Sequence, residues 1–270
     1  MTPEIVRRAT LTCVCSADQM HHAIPAMEVA MIDESELFGI DPFALLDVES
    51  ERVMRHFASL DEKGWQQPTR CEGWRVREML SHFRGGELYN RACLDDAVAT
   101  LMQRASTEGS VHDLDSFSAW INDIYADRER DALLAEWHAE NVAVRNELRE
   151  RGDDGELTTM VGPYSVRLQA FHLAQEYATH ADDMNVAVAA DEVEARRDWR
   201  ARFTRFALTE LDRPVTVEQR GGRNVIRVST DGADGDDVIL SDDDLIEAGQ
   251  GRLPGGALPP GYEELLRTNG

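Results

Sequence analysis

Lysine is almost missing from this chain: Lys63 is the single one, and arginine supplies the rest of the 28 basic residues against 51 acidic ones. The net charge of -23 disfavours nucleic acid as a partner, because phosphate binding is driven by Lys and Arg displacing condensed counterions. An anionic membrane surface is disfavoured for the same reason. Cysteine is equally sparse, with four residues at 13, 15, 71 and 93. That number excludes a disulfide scaffold in a chain of 270 residues and fits reduced thiols, so the cytoplasm is the expected compartment. Each thiol, taken alone, reads as a small buried hydrophobe. No apolar run reaches the 18 residues that a transmembrane helix needs. Arg7 and Arg8 precede a short apolar stretch, but Ser16, Asp18 and Gln19 follow at once, without the small-residue cleavage pattern of a secretory signal.

Hydrophobic residues at 42% and charged residues at 29% are ordinary globular usage. Length predicts one large domain and one smaller one. Residues 1–40 lack a sustained period and read as a loosely attached, poorly ordered arm, in which Met31 offers an alternative start. Cys13, Cys15, His21 and His22 lie in this arm, but a lone CxC has no partner pair at metal-finger spacing.

Asp41-Pro42 is an acidic N-cap followed by Pro at N1, and it opens the first clear helix. Leu45, Leu46, Val48, Val53, Phe57 and Leu60 form its apolar stripe. Residues 68–74 turn into a second helix whose inward pattern includes Trp74, Val76, Met79, Leu80 and Phe83, with His82 among them. A long helical region over 113–151, with a break near Asp127, is followed by a Gly- and Pro-bracketed loop. A further helix runs from after Pro163 to about Ala190. Four helices with loops between them predict an up-and-down bundle over residues 41–193. After a fifth helix, Glu194 to Leu211, the pattern changes to alternating Val215, Val217 and Val225, Ile226, Val228 around Gly221-Gly222, a β-hairpin signal. A third strand over 237–240 and a short helix near 243–248 complete a small α+β domain, 194–270. The stretch 231–247 carries eight acids and no base. Lacking the spacing of a calcium loop, it reads as a solvated face.

Chemistry concentrates on the helix after Pro163. His172, Glu176 and His180 recur at intervals of four, so they stack on one face. A Glu four residues before a His is also ordinary helix support, and the pair alone proves nothing. Its surroundings argue further: Phe171, Leu173, Ala174, Tyr177, Ala178, Ala181 and Met184 make most of the circumference apolar. A buried, unpaired carboxylate is expensive, and metal coordination is one way to offset that. Three ligands on one straight helix at i, i+4 and i+8 would span about 12 Å, too far for a single ion. The third ligand must therefore come from another helix, and His82 is the candidate, giving His82, Glu176 and His180. Asp183 is spaced to hold a ligand's second nitrogen or an arginine, or else is a surface carboxylate.

The segment from Asp41-Pro42-Phe43 into the bundle, then Pro68-Thr69-Arg70-Cys71-Glu72-Gly73-Trp74-Arg75-Val76 through Leu80-Ser81-His82, resembles the mycothiol-dependent maleylpyruvate isomerase family, within the DinB-like helical superfamily. Glu176-Tyr177-Ala178-Thr179-His180 through Asp183 is similar to that family's ExxxHxxD segment. The resemblance runs from about residue 41 to the C-terminus and weakens after 214. It implies a mainly α protein, a DinB-like four-helix bundle with a small α+β C-terminal domain, binding a divalent metal, usually zinc, through His82, Glu176 and His180. It implies mycothiol as co-substrate and a small electrophile as substrate, processed by isomerisation or S-transfer. Arg252, in the tail, is a candidate for holding an anionic substrate or the thiol, since a guanidinium fork suits carboxylates; an exposed arginine is its plain alternative. Two rivals remain on sequence grounds: a DinB-like metal-dependent hydrolase, and a non-catalytic regulatory protein with a structural metal.

Overall fold

A computed structural model describes residues 33–211, 213–230, 233–234 and 237–268. The cysteines and histidines of residues 13–22, the Met31 start and the signal-like stretch lie outside the described residues, as does part of the acidic run. The described chain is mainly α and divides into two compact units, residues 41–187 and residues 33–40 with 188–268.

The first unit holds α1 (Pro42–Ser59), the short α2 (Glu62–Trp65), α3 (Val76–Leu94), α4 (Val98–Gly109), α5 (Leu114–Tyr125), α6 (Arg130–Arg151), the strands β1 (Glu156–Thr159) and β2 (Gly162–Ser165), and α7 (Val166–Asp183). Asp41 caps α1 as its sequence predicts, accepting from the Phe43 and Ala44 N–H groups at 2.9 and 3.1 Å with Pro42 behind it. In the bundle α1 lies against α7 and α6, and α3 against α6. Its core is aromatic: Phe57 stacks on Trp65 (5.1 Å) and meets Trp137 edge-on (5.6 Å), while Phe83 stacks on Tyr177 (4.8 Å). Trp137, Phe57 and Phe171 are fully buried, so their apolar area supplies much of the force that holds the helices together.

The 113–151 region is broken where expected, at 126–129 between α5 and α6. Two elements correct the expectation. Helix α7 stops at Asp183 rather than near Ala190, because Asn185 takes a left-handed conformation (φ 56°) and the Val186 N–H folds back onto the Ala181 carbonyl at 2.9 Å. The expected loop before it contains the β1–β2 hairpin, paired Glu156 to Ser165 through Thr159 to Gly162. Helix α4 has no counterpart in the expectation, although Val98, Leu101, Met102 and Ala105 are buried at helical spacing.

The second unit holds α8 (Val193–Glu210), β3 (Val215–Arg220), β4 (Arg223–Thr230), β5 (Ala233–Asp234), β6 (Val238–Leu240), α9 (Asp242–Gly249) and α10 (Tyr262–Leu266). Strand β4 is central and antiparallel to its neighbours: Val215 pairs with Val228 and Arg220 with Arg223 on one side, and Ile226 with Val238 on the other. Gly221 and Gly222 both have positive φ, as a tight turn between β3 and β4 requires. Leu208, Ile226, Val228, Leu245 and Leu266 form its core. Of the arm expected over 1–40, residues 33–40 are described. Leu37 in the 3-10 turn Ser35–Leu37 is fully buried, and Arg202 and Arg205 of α8 bond the Glu36 carbonyl (2.7 Å) and carboxylate (2.9 Å).

Candidate metal centre

His82 lies on α3 and Glu176 and His180 lie one turn apart on α7. The fold brings the three together: His82 Nε2 is 2.8 Å and His180 Nε2 3.1 Å from the same carboxylate oxygen, Glu176 Oε1. The two imidazoles meet edge to face with centroids 4.7 Å apart. Trp74, just before α3, packs on the His82 ring at 5.1 Å, and Phe83 meets the His180 ring edge-on at 5.7 Å. Glu78 Oε2 accepts from the Arg75 N–H at 2.9 Å, which fixes the start of α3 and with it the height of His82.

Electrostatics sort the three groups. Burial would raise the Glu176 carboxyl, but the charge of His180 and hydrogen bonds from His180 and His82 outweigh it and hold the group well below the usual carboxylate range. Burial works against a charged His180, yet the Glu176 charge and the contacts with Asp183, Cys71 and Glu176 hold its ring well above the usual imidazole range. Burial keeps His82 below that range, against its bond to Glu176. The cluster is thus built around one anionic carboxylate and concentrates positive charge beside it.

Asp183 is buried rather than a surface carboxylate, and its Oδ2 lies 3.0 Å from His180 Nδ1, on the ring edge opposite Glu176. Cys71, which carries no polar role in the sequence reading, donates its thiol hydrogen to the same Asp183 oxygen at 3.3 Å and lies 3.9 Å from His180 Nδ1. A tight turn delivers it there. Thr69 Oγ1 accepts from the Cys71 N–H, Gly73 takes φ 78°, and the Arg70 N–H donates to the Asp183 carbonyl at 3.0 Å. Cys71 and Asp183 are 112 residues apart, so no local pattern could have paired them. Among the described residues, two groups of ligating atoms converge within 4.8 Å, His82–Glu176–His180 and Cys71–His180–Asp183. They share His180 through opposite ring nitrogens.

The donor chemistry of the first group fits a zinc-like ion. Two imidazole nitrogens and one carboxylate oxygen form a recurrent three-residue zinc set, and a ligating imidazole commonly holds its second nitrogen against a carboxylate, as His180 does against Asp183. His172 is not part of either group; its Nε2 lies 3.0 Å from the Tyr164 hydroxyl on β2. Arg252 belongs to the other unit, partly buried after α9, with its backbone N–H on the Glu247 carbonyl at 2.7 Å.

The family model of the mycothiol maleylpyruvate isomerase N-terminal domain matches residues 46–185. No curated protein sequence matches the chain. Among solved structures, the crystal structure of a mycothiol-dependent maleylpyruvate isomerase mutant has a similar fold, with TM-score 0.53 over 78% of this chain and 88% of that chain at 15% identity. With more than half its length matched by that model, this chain belongs to the mycothiol maleylpyruvate isomerase N-terminal domain family.

Proposed function

We propose that this chain is a cytoplasmic, metal-dependent enzyme that uses a low-molecular-weight thiol, mycothiol by family, for isomerisation or S-transfer on a small electrophile. The observation that carries the reading is the convergence of His82, Glu176 and His180 from two helices on one point. His82 Nε2, His180 Nε2 and one Glu176 oxygen would hold the ion, zinc being the best match to these donors. When bound with an open position, such an ion supplies the acidity that makes a thiol a thiolate at neutral pH. Asp183 keeps the His180 ring turned with Nε2 toward Glu176, and Cys71 in turn holds Asp183. The Phe83 and Trp74 rings limit water around the ligands, which strengthens every charge interaction there. Addition of the thiolate to an activated double bond gives an adduct that rotates and eliminates in an isomerase, or persists in a transferase. Arg252 is proposed, on chemistry alone, to hold an anionic group of substrate or thiol. Arg252→Ala should then raise KM for one of them with little change in kcat.

The test begins with metal analysis of the purified protein. About one equivalent of zinc per chain is expected, with loss in His82→Ala and in Glu176→Ala, each of which removes one of the three ligands. Full metal in both variants rejects the assignment. Thiol-dependent conversion of an electrophilic acceptor, followed as its isomerisation or as thiol consumed in S-transfer, should stop on chelation and return with zinc. A rate that survives chelation, or that needs no added thiol, rejects the mechanism.

A further inference from the structure

A cavity of about 20 Å³ lies in the bundle beside the ligand cluster, bordered by His82 and Glu176, by the apolar Phe83 and Leu173, and by Glu87 and Gln169. It has room for roughly one water-sized group. Two of its walls are polar and incompletely satisfied. Glu87, on α3, is 2% exposed. Its Oε1 accepts both the Tyr177 hydroxyl and the Asn141 amide (2.8 Å), whereas its Oε2 has no hydrogen-bond partner among the described residues. The Arg145 guanidinium pairs with Asp47 and Glu51 and donates to the Asn141 side-chain oxygen at 2.9 Å, so only its charge, and no hydrogen bond of its own, acts on Glu87. Burial pushes the Glu87 carboxyl up toward the neutral acid, against the hydrogen bonds from Asn141 and Tyr177. Because Oε1 already receives two donors, a proton on this acid sits on Oε2. Gln169, on α7, is the mirror case: its Nε2 donates to Asn90 Oδ1 at 2.9 Å, and its Oε1 is left without a partner among the described residues.

Glu87 and Gln169 both border this cavity, and each carries a buried oxygen without a partner among the described residues, which is costly unless something satisfies it. We propose that this cavity is a subsite for a single carbonyl function of a small ligand, with Glu87 Oε2–H donating to its oxygen and Gln169 Oε1 accepting from a neighbouring N–H or O–H. The ligand's identity as the electrophile rests on the enzymatic reading above. In that role the Glu87 hydrogen bond draws electron density toward the oxygen of a conjugated carbonyl. As the thiolate S–C bond forms, the double-bond electron pair moves onto that oxygen; on elimination it returns, and Glu87 keeps its proton throughout.

Crotonamide, an unsaturated amide that offers one carbonyl and two N–H groups, is the probe, and the zinc-loaded full chain is the sample. Infrared difference spectra should show a protonated-carboxyl band in the wild type that is missing in Glu87→Gln and that shifts when crotonamide is added. In Glu87→Gln an amide N–H can replace the acid O–H, so crotonamide affinity should stay within about threefold, whereas Glu87→Ala should weaken it about tenfold or more, as loss of a buried hydrogen bond does. Gln169→Leu should weaken it similarly, and it keeps the test informative if Glu87→Ala does not fold. A wild-type spectrum without the Glu87 band, no band shift with crotonamide, or equal crotonamide binding in Gln169→Leu overturns the proposal. None of these readouts uses thiol turnover. Failure here leaves the thiol chemistry standing, and a protein inert toward thiols that still gives the crotonamide response retains the subsite without the enzyme.

Discussion

Glu87 and Glu176 are both acids inside one bundle, and their neighbours drive them in opposite directions. Glu176 faces two imidazoles and is held anionic; Glu87 faces a phenol and an amide, and burial favours its neutral form. The difference has a consequence for stability. Glu87 has a folded-state pKa above its ordinary value of 4.5. The folded chain therefore holds a proton that the unfolded chain has released, and stability falls as pH rises above 4.5 until the folded carboxyl itself ionises. Glu87→Gln lacks that proton linkage. Its melting temperature should match wild type below the ordinary carboxyl range and exceed it at pH near 7, and a parallel offset at all pH values would contradict this. At this scale the Glu176–His180 spacing and the helix of His82 were readable in sequence, because they rest on helical periodicity. Glu87 and Cys71 were not, since what makes them notable is burial and a partner far along the chain.

At the scale of elements, two adjacent glycines of α3 differ sharply. A Cβ on Gly85 would lie 2.6 Å from Ile121 Cγ2 of α5, while one on Gly86 would meet nothing within 4 Å. Gly85→Ala should thus lose about 1–3 kcal/mol from overpacking even though alanine favours helix, whereas Gly86→Ala should gain up to about 1 kcal/mol from propensity. Urea unfolding of the two variants checks the order, and equal effects would show that α3 and α5 do not pack so closely. Asp41→Ala, which removes the two N-cap bonds of α1, should cost about 1 kcal/mol. Caps of this kind explain why α1 was legible from Asp41-Pro42. The limits of α7 were less so: its start is set by Ser165 and its end by a left-handed Asn185, and a polar residue at either place carries no unique signal. The β1–β2 hairpin was hidden for a related reason. Its strands are four residues each, and Pro163 in the second reads as a loop residue until an edge position accounts for it.

For the molecule as a whole, metal and folding should be linked. An ion that binds the folded bundle through residues of α3 and α7 raises its stability by about 2.7 kcal/mol at a hundredfold excess over Kd. Added zinc is expected to raise the melting temperature of the wild type and not of Glu176→Ala; an equal rise in both would point to unrelated sites. Among the described residues no helix is long and apolar enough to cross a membrane. The strong negative charge, a property of composition, argues against nucleic acid as partner whatever the fold.

Sequence by itself determined the mainly helical class, the turn to β-structure after residue 211, the family, and the face of α7 that carries Glu176 and His180, because periodicity, caps and short motifs act over a few residues and survive without coordinates. Tertiary structure alone decided that His82 reaches that face, that Cys71 and Asp183 hold its far side, and that Glu87 and Gln169 border a shared cavity. Those facts depend on which helices pack together and how closely, and packing is settled by the summed burial of the whole core rather than by any one stretch of chain.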